Sequence, residues 1–303
     1  GGGGGGAGAA SAQRQAQGEA ACLDAMRLLL FQERDLMAGH HFRSSAQQCA
    51  AQGGGEVMRK RLKRITEEIS TLSTSLPLSY DSAIFVAVDS QRMDVLRALI
   101  LPAPDTPYAF GAFVFDILLP PDYPNHPPQV HFLTTGEGRV RFNPNLYNCG
   151  KVCLSLLGTW SGPSWQPGTS TLLQVLVSIS AMILVPDPFF NEPSYERMMH
   201  TPQGCANSKA YNESIRANTM SVAVLPAAEA LAAAASGQAR GCRLPGWDTF
   251  KEAIEVHLRA KREDIVRTID AWEKEASNPQ AKSSLQAAHK RIKAALELLA
   301  GPT

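Results

Sequence analysis

The chain has 303 residues, a formal net charge of +1 and 44% hydrophobic residues. This holds one enzyme-sized domain with extensions or two small domains, with enough apolar residues for a core, and the near-zero charge argues against a general nucleic-acid binder. Six scattered cysteines do not read as a disulfide framework, so we expect a reducing, cytoplasmic setting, with the nucleus open.

Residues 1–55 read as disordered or low-complexity, with one helix expected over 19–37. Their first twenty positions are mostly Gly, Ala and Gln, with too little apolar bulk to offset chain entropy. No charged n-region precedes an apolar h-region. The opening on glycine rather than Met suggests a piece of a longer polypeptide. Residues 38–55 lose periodicity and end in Gly53-Gly54-Gly55, which reads as a linker.

From residue 56 the pattern sharpens. EVMRKRLKRITEEISTLSTSLP places Val57, Met58, Leu62, Ile65, Ile69 and Leu72 at helical spacing. Arg59, Lys60, Lys63 and Arg64 crowd its other faces. They read either as a solvated face or as a docking face for an acidic partner. Residues 83–88, 95–100, 112–119 and 130–133 are short apolar runs between Gly/Pro turns, the pattern of a four-stranded antiparallel meander. PPDYPNHPP, with five prolines in nine positions, is neither helix nor central strand.

The stretch RVRFNPNLYNCGKVCLSLLGTWSGPSW follows. Cys153 sits among Val152, Leu154, Leu156 and Leu157. A cysteine there is either core filler or a nucleophile; local chemistry leaves both open. Asn145 lies eight positions earlier, where its amide could serve an oxyanion without itself titrating. That pairing points to thioester chemistry. Cys149 and Cys153 form a C-x3-C pair with no second pair at ligand spacing, so no metal site is expected. His126 and His131 read as surface residues, and Tyr108 and Tyr123 as packing.

Thr169-Ser170-Thr171 offers an N-cap for a helix over 172–184. Its apolar run is broken by Gln174, Ser178 and Ser180 and is too short to span a bilayer. Helices are expected over 208–223, 247–275 and 281–300. Residues 226–243 read as an Ala-rich linker or weak helix. The domain reading is therefore a main folded unit over 56–225, a linker over 226–243 and a helical extension over 244–303. The apolar stripes of the last two helices suit an αα-hairpin against the main domain.

The order helix, four strands, proline-rich turn, cysteine in an irregular segment, then helices resembles the ubiquitin-conjugating enzyme (E2) family over about 58–224. Asp122-Tyr123-Pro124 with Pro127-Pro128 resembles its YPxxPP turn. Asn143-Pro144-Asn145 stands where the family has His-Pro-Asn. Gly150-Lys151-Val152-Cys153-Leu154 is similar to the segment around its catalytic cysteine, and Trp160 and Trp165 with Pro167 to its tryptophan loop. Asp187-Pro188 and Glu192-Pro193 resemble the acidic loop after its central helix. Within the family the chain looks most like the large E2/E3 hybrids. The resemblance implies an α+β ubiquitin-conjugating (UBC) fold, an N-terminal helix leading the meander, and helical extensions.

It also implies an ATP-dependent pathway. An activating enzyme (E1) passes ubiquitin to Cys153 as a thioester, and a substrate lysine amine then takes it up as an isopeptide. No metal or organic cofactor is implied. Asn145 would stabilise the oxyanion or brace the loop. Glu192 would orient the incoming amine, although the family's acid there is Asp. Asn143, Pro144 and Asp187 would shape the active-site loop, with Asn143 replacing the family's structural His. Arg59, Lys60, Lys63 and Arg64 would meet the E1. Asn125-His126 stand where a bulky apolar residue often docks RING ligases, which suits an enzyme with ligase character of its own. The alternatives are a non-catalytic ubiquitin-binding scaffold of the same fold, or conjugation of another ubiquitin-like modifier.

Overall fold

The structure, a computed structural model, describes residues 5–49, 55–238 and 241–299. Gly53 and Gly54 of the expected glycine linker and residue 300, the last of the expected C-terminal helix, lie outside them. Helix α1 (Gly5–Arg27) leads into strand β1 (Phe31–Arg34) and helix α2 (Arg43–Cys49). Then come α3 (Glu56–Ser75), β2 (Ala83–Asp89), β3 (Val95–Leu101), β4 (Phe113–Leu118) and β5 (Gln129–Phe132). Helix α4 (Leu172–Ser178) runs into a π-turn (Ile179–Ile183). After α5 (Pro202–Asn218) a second π segment (Thr219–Val224) continues into α6 (Leu225–Ala235). The chain closes with α7 (Trp247–Ala260), α8 (Arg262–Glu275) and α9 (Pro279–Leu298).

The expected α+β architecture and four-stranded antiparallel meander are present, with strands in the order β1-β2-β3-β4-β5. The fifth strand is β1, which the sequence reading took for helix. It pairs parallel to β2, Phe31 facing Val86. Every residue of β2, β3 and β4 is buried. Strands covered on both faces read as unbroken apolar runs rather than alternations, as AIFVAVD and VLRALIL do. On one face Ile84, Val86, Ile100, Phe113 and Phe115 meet Ile65 and Leu72 of α3 and Leu172 and Val175 of α4. On the other, Phe85, Leu99 and Val114 meet Met26 of α1, Phe250 and Ile254 of α7 and Ile269 of α8.

Residues of both extensions are therefore part of the core. The N-terminal segment is helical from residue 5, and Cys22 and Met26 are buried on its inner side, with α1 packed against α7. The 226–243 linker is mostly α6: Ala227, Ala228 and Leu231 are buried, and small side chains let the helix lie close to α9. The helix expected over 247–275 breaks at Lys261. That side chain turns inward, 3% exposed, onto Asp81 Oδ1 at 2.6 Å and the face of Tyr80 at 3.4 Å. The expected αα-hairpin is α8 and α9, packed on the main body. Glu213 of α5 fastens its turn, accepting hydrogen bonds from Ser277 N, Ser277 Oγ and Asn278 N.

Under the cap a charged pair bridges β3 and β4. Arg97 Nε donates to Asp116 Oδ1 at 2.6 Å, and the same guanidinium reaches Gly39 O and Thr249 Oγ1. Asp116 also accepts from His41 N. Among the described residues, only the helix Pro202–Ala235 is long and apolar enough to cross a membrane, and most of it is buried inside the protein.

Candidate active site

The Cys153 loop is built outward from β5. Phe132 N donates to Gly150 O, and short bridges join His131 to Lys151 and Leu146 to Val152. The chain doubles back so that Asn145 and Cys153, eight residues apart, lie side by side. Cys153 N donates to Asn145 O at 2.9 Å, and Asn145 Nδ2 donates to Cys153 O at 2.8 Å. The asparagine amide thus braces the cysteine's own peptide, and its Oδ1 is buried without a protein partner.

Asn143, which stands in the family's His position, is fully buried and uses both ends of its amide. Nδ2 donates to Tyr108 OH at 2.9 Å and Ile183 O at 2.7 Å, while Oδ1 accepts from Asn145 N at 2.8 Å. Asn191 Nδ2 also reaches that Oδ1 at 3.4 Å and donates to Met182 O. One side chain therefore ties the loop to the α4 π-turn and to the acidic segment beyond it. A buried network this fully satisfied specifies a single arrangement. Tyr108 is part of it, donating to Phe142 O, and its phenol is pushed well above the ordinary value by burial.

Cys153 is 2% exposed. Burial pushes its thiol up, and the nearby cations Lys151 and Arg141 oppose that rise. The resting protein therefore holds a thiol more than a thiolate. Cys149 is exposed at the tip of the preceding turn.

His131 is not a surface residue, as read from sequence. It is half-buried, its ring stacked on His41 with centroids 3.4 Å apart. Burial and the second imidazole push its pKa down to about 4. The turn carrying Gly150 lies directly on this ring. His126 is exposed as expected and pairs with Asp122.

Glu192 follows the 3-10 turn Pro188–Asn191, and its carboxylate lies 3.6 Å from Arg141 Nη2. Asp187 stands apart from the loop, accepting from Ser208 Oγ at 2.7 Å beside a pocket of about 300 Å³ lined also by Phe190, Met199 and Asn212. The basic face of α3 is smaller than the sequence suggested. Arg59, Lys60 and Lys63 are exposed beside Val57 (70% exposed) and Leu62. Arg64 turns inward to Glu68 and Ser170 O, because Glu68 is buried and needs a cation. Glu68 also takes hydrogen bonds from Tyr123 OH and Leu172 N, locking α3 to the proline turn and to the start of α4. A capping box of Thr171 and Gln174 completes that start.

The sequence reading passed over Arg141 as a site residue. Its signal was positional: it lies two residues before Asn143, in the segment entering the loop.

This arrangement is a buried cysteine on a hydrogen-bonded loop, flanked by two cations and a carboxylate. The ubiquitin-conjugating enzyme family model matches residues 64–219. The human "Dual E2 ubiquitin-conjugating enzyme/E3 ubiquitin-protein ligase BIRC6" is 46% identical over 215 residues, 70% of this chain and 4% of that protein. The Caenorhabditis elegans "Probable ubiquitin-conjugating enzyme protein 17" is 45% identical over 224 residues, 73% of this chain and 29% of that protein. The Arabidopsis thaliana "Probable ubiquitin-conjugating enzyme E2 25" is 54% identical over 154 residues, 50% of this chain and 24% of that protein. The chain thus spans less than a third of the length of each of these relatives.

Proposed function

The chain belongs to the ubiquitin-conjugating enzyme family, and from that premise we propose that Cys153 carries ubiquitin as a thioester and releases it to a lysine amine of a protein substrate. The observation that carries this reading is the paired backbone and amide hydrogen bonding of Asn145 to Cys153, which holds the cysteine's main chain beside the asparagine.

Cys153 sulfur attacks the carbonyl of ubiquitin bound to the E1 thiol. The E1 sulfur leaves as a thiolate and takes up the proton that Cys153 gives up as the new thioester forms. The substrate amine then adds to the thioester carbonyl, giving a tetrahedral oxyanion that collapses by expelling the Cys153 thiolate. The amine loses its proton and the product is an isopeptide. Lys151 favours the expelled thiolate, since its charge opposes the burial that raises the thiol. In the resting protein Asn145 braces Cys153. To serve the oxyanion its amide must exchange Cys153 O for the developing charge, and losing such a donor costs about 10²–10³ in rate. Glu192 is placed as the carboxylate that orients the amine. Arg59, Lys60 and Lys63, with Val57 and Leu62, are the surface assigned to the E1. The setting proposed is cytoplasmic, and the ligase character of the hybrid relatives extends to this chain as part of the same reading.

The test incubates the protein with ubiquitin, E1 and ATP, and resolves it on a non-reducing gel beside Cys153→Ser and Cys149→Ser. A reductant-sensitive adduct on wild type and Cys149→Ser, with a stable ester or nothing on Cys153→Ser, is expected. A reducible adduct that survives Cys153→Ser refutes the assignment. No adduct with an E1 that charges other family members refutes the activity.

A further inference from the structure

Arg141 touches three parts of the site. One Nη2 donates to Pro144 O at 2.8 Å, inside the Asn143–Asn145 turn. The guanidinium lies 4.2 Å from the centre of the Tyr147 ring. The same Nη2 stands 3.6 Å from Glu192 Oε2. Its charge also reaches Cys153 and Tyr211, the latter pushed up to about 12 mainly by burial.

The pair with Glu192 is about two-fifths exposed on each side. Pairs so exposed contribute about 0–1 kcal/mol to stability, so folding does not account for such a constrained guanidinium. What the contacts do is fix a planar fork in one place. A stacked, hydrogen-bonded arginine loses little further freedom on gaining a carboxylate partner. Glu192 follows a short 3-10 turn and has one more rotatable bond than the aspartate that the family pattern suggests, so it needs an anchor if its carboxylate is to hold one position.

We infer that Arg141 is a positioning residue: it anchors the Glu192 carboxylate to the Pro144 edge of the loop that carries Cys153. The inference rests on the proposed lysine transfer. Arg141 acts through Glu192 and takes no part in the bond changes.

The test separates loading from discharge. Protein charged with ubiquitin on Cys153 is chased with free lysine in a single turnover, for wild type, Arg141→Ala, Arg141→Lys, Glu192→Gln and the double variant Arg141→Ala with Glu192→Gln. Loading by the E1 is expected to stay within about twofold for all of them, while Arg141→Ala discharges about fivefold more slowly at subsaturating lysine, the size of effect that direct coupling between neighbours gives. Arg141→Lys recovers most of that loss. On the Glu192→Gln background, Arg141→Ala adds nothing further. A bracing role through Pro144 alone predicts the opposite, a full fivefold loss with or without the carboxylate, and that result overturns the inference. So does wild-type discharge by Arg141→Ala or by Glu192→Gln. Failure of the wild type itself to form a reducible adduct removes the functional reading and this inference together, whereas normal loading with uncoupled discharge removes only the inference.

Discussion

Gly150 is the glycine of the Cys153 loop at which an added Cβ would meet the tightest contact. Its φ is +87°, a conformation in which an L side chain is strained, and a Cβ there would stand 2.1 Å from His131 Cε1 and 2.2 Å from Nε2. The ring has nowhere to go, because its far face is stacked on His41 at 3.4 Å. Gly150→Ala therefore carries two penalties. The left-handed backbone costs about 1–2 kcal/mol. Overpacking against a ring that cannot retreat adds about 1–3 kcal/mol. The sum, about 2–5 kcal/mol, lowers the melting temperature of a chain this size by roughly 3–8 °C. Because Gly150 O and N hold Phe132 and Tyr147, the loop carrying Asn145 and Cys153 shifts as well, and loading of Cys153 should fall. The assay is urea or thermal unfolding of wild type, Gly150→Ala, His131→Ala and the double variant. Removing the ring should cancel the overpacking part, so the double variant should be more stable than the sum of the single effects by about 1–3 kcal/mol. A Gly150→Ala loss below about 1 kcal/mol, or strict additivity with His131→Ala, would refute the reasoning.

Three further outcomes are expected. Glu213→Gln should loosen the α8–α9 turn by about 1.5–3 kcal/mol, read as faster amide exchange around Ser277 and Asn278. Burial raises that carboxyl, but the hydrogen bonds from Asn278 and Ser277 outweigh it and hold it below its ordinary 4.5. Its contribution is therefore present above pH 4.5 and lost as the pH falls through the lower folded value. The gap between wild type and Glu213→Gln should thus be flat near neutrality and close in acid, and a gap unchanged down to pH 3 would exclude the carboxylate as its source. Iodoacetamide at neutral pH should label the exposed Cys149 at least about tenfold faster than Cys153, whose thiol is raised and 2% exposed. Peptide mass spectrometry reads this, and equal rates would contradict the burial argument. Asp81→Ala should cost about 1–3 kcal/mol, because it strips the buried Lys261 ammonium of its 2.6 Å partner and leaves it Asp264 at 3.9 Å. Lys261→Met should cost less, since Asp81 is 58% exposed and water can take the cation's place; chemical denaturation in which the order is reversed would show that Lys261 is not held by that pair.

Much of the site was legible because its signals are local. Asn-Pro-Asn, the Gly150–Leu154 run and the proline turn each fix backbone within a few residues, and the apolar strand runs and the α3 and α4 periodicities mark their elements without reference to distant partners. Asn143 could be read as a structural replacement for His because an amide can tie down a turn by the same short reach. Which of its hydrogen-bonding sites would be used, and by what, could not be read, since Tyr108, Ile183 and Asn191 come from three other parts of the chain.

The sequence by itself determined the fold class, the central strands and the loop that presents Cys153, since these depend on hydrophobic period, proline and turn chemistry within short windows. Only the tertiary structure decided what covers the second face of the sheet. Phe31–Arg34 becomes a strand because β2 offers it an open edge. The Ala-rich stretch at 225–235 becomes core because α9 approaches close enough for methyl groups to suffice. Helix 247–275 breaks at Lys261 because Asp81 and Tyr80, some 180 residues earlier, bind its ammonium. Arg64 likewise left its basic face where the carbonyl of Ser170, far along the chain, meets it, and Arg141 gained its place only when Glu192 was brought back beside it. Each of these depends on a partner distant in the chain, and burial and electrostatic pairing act through space, so no local pattern could carry them.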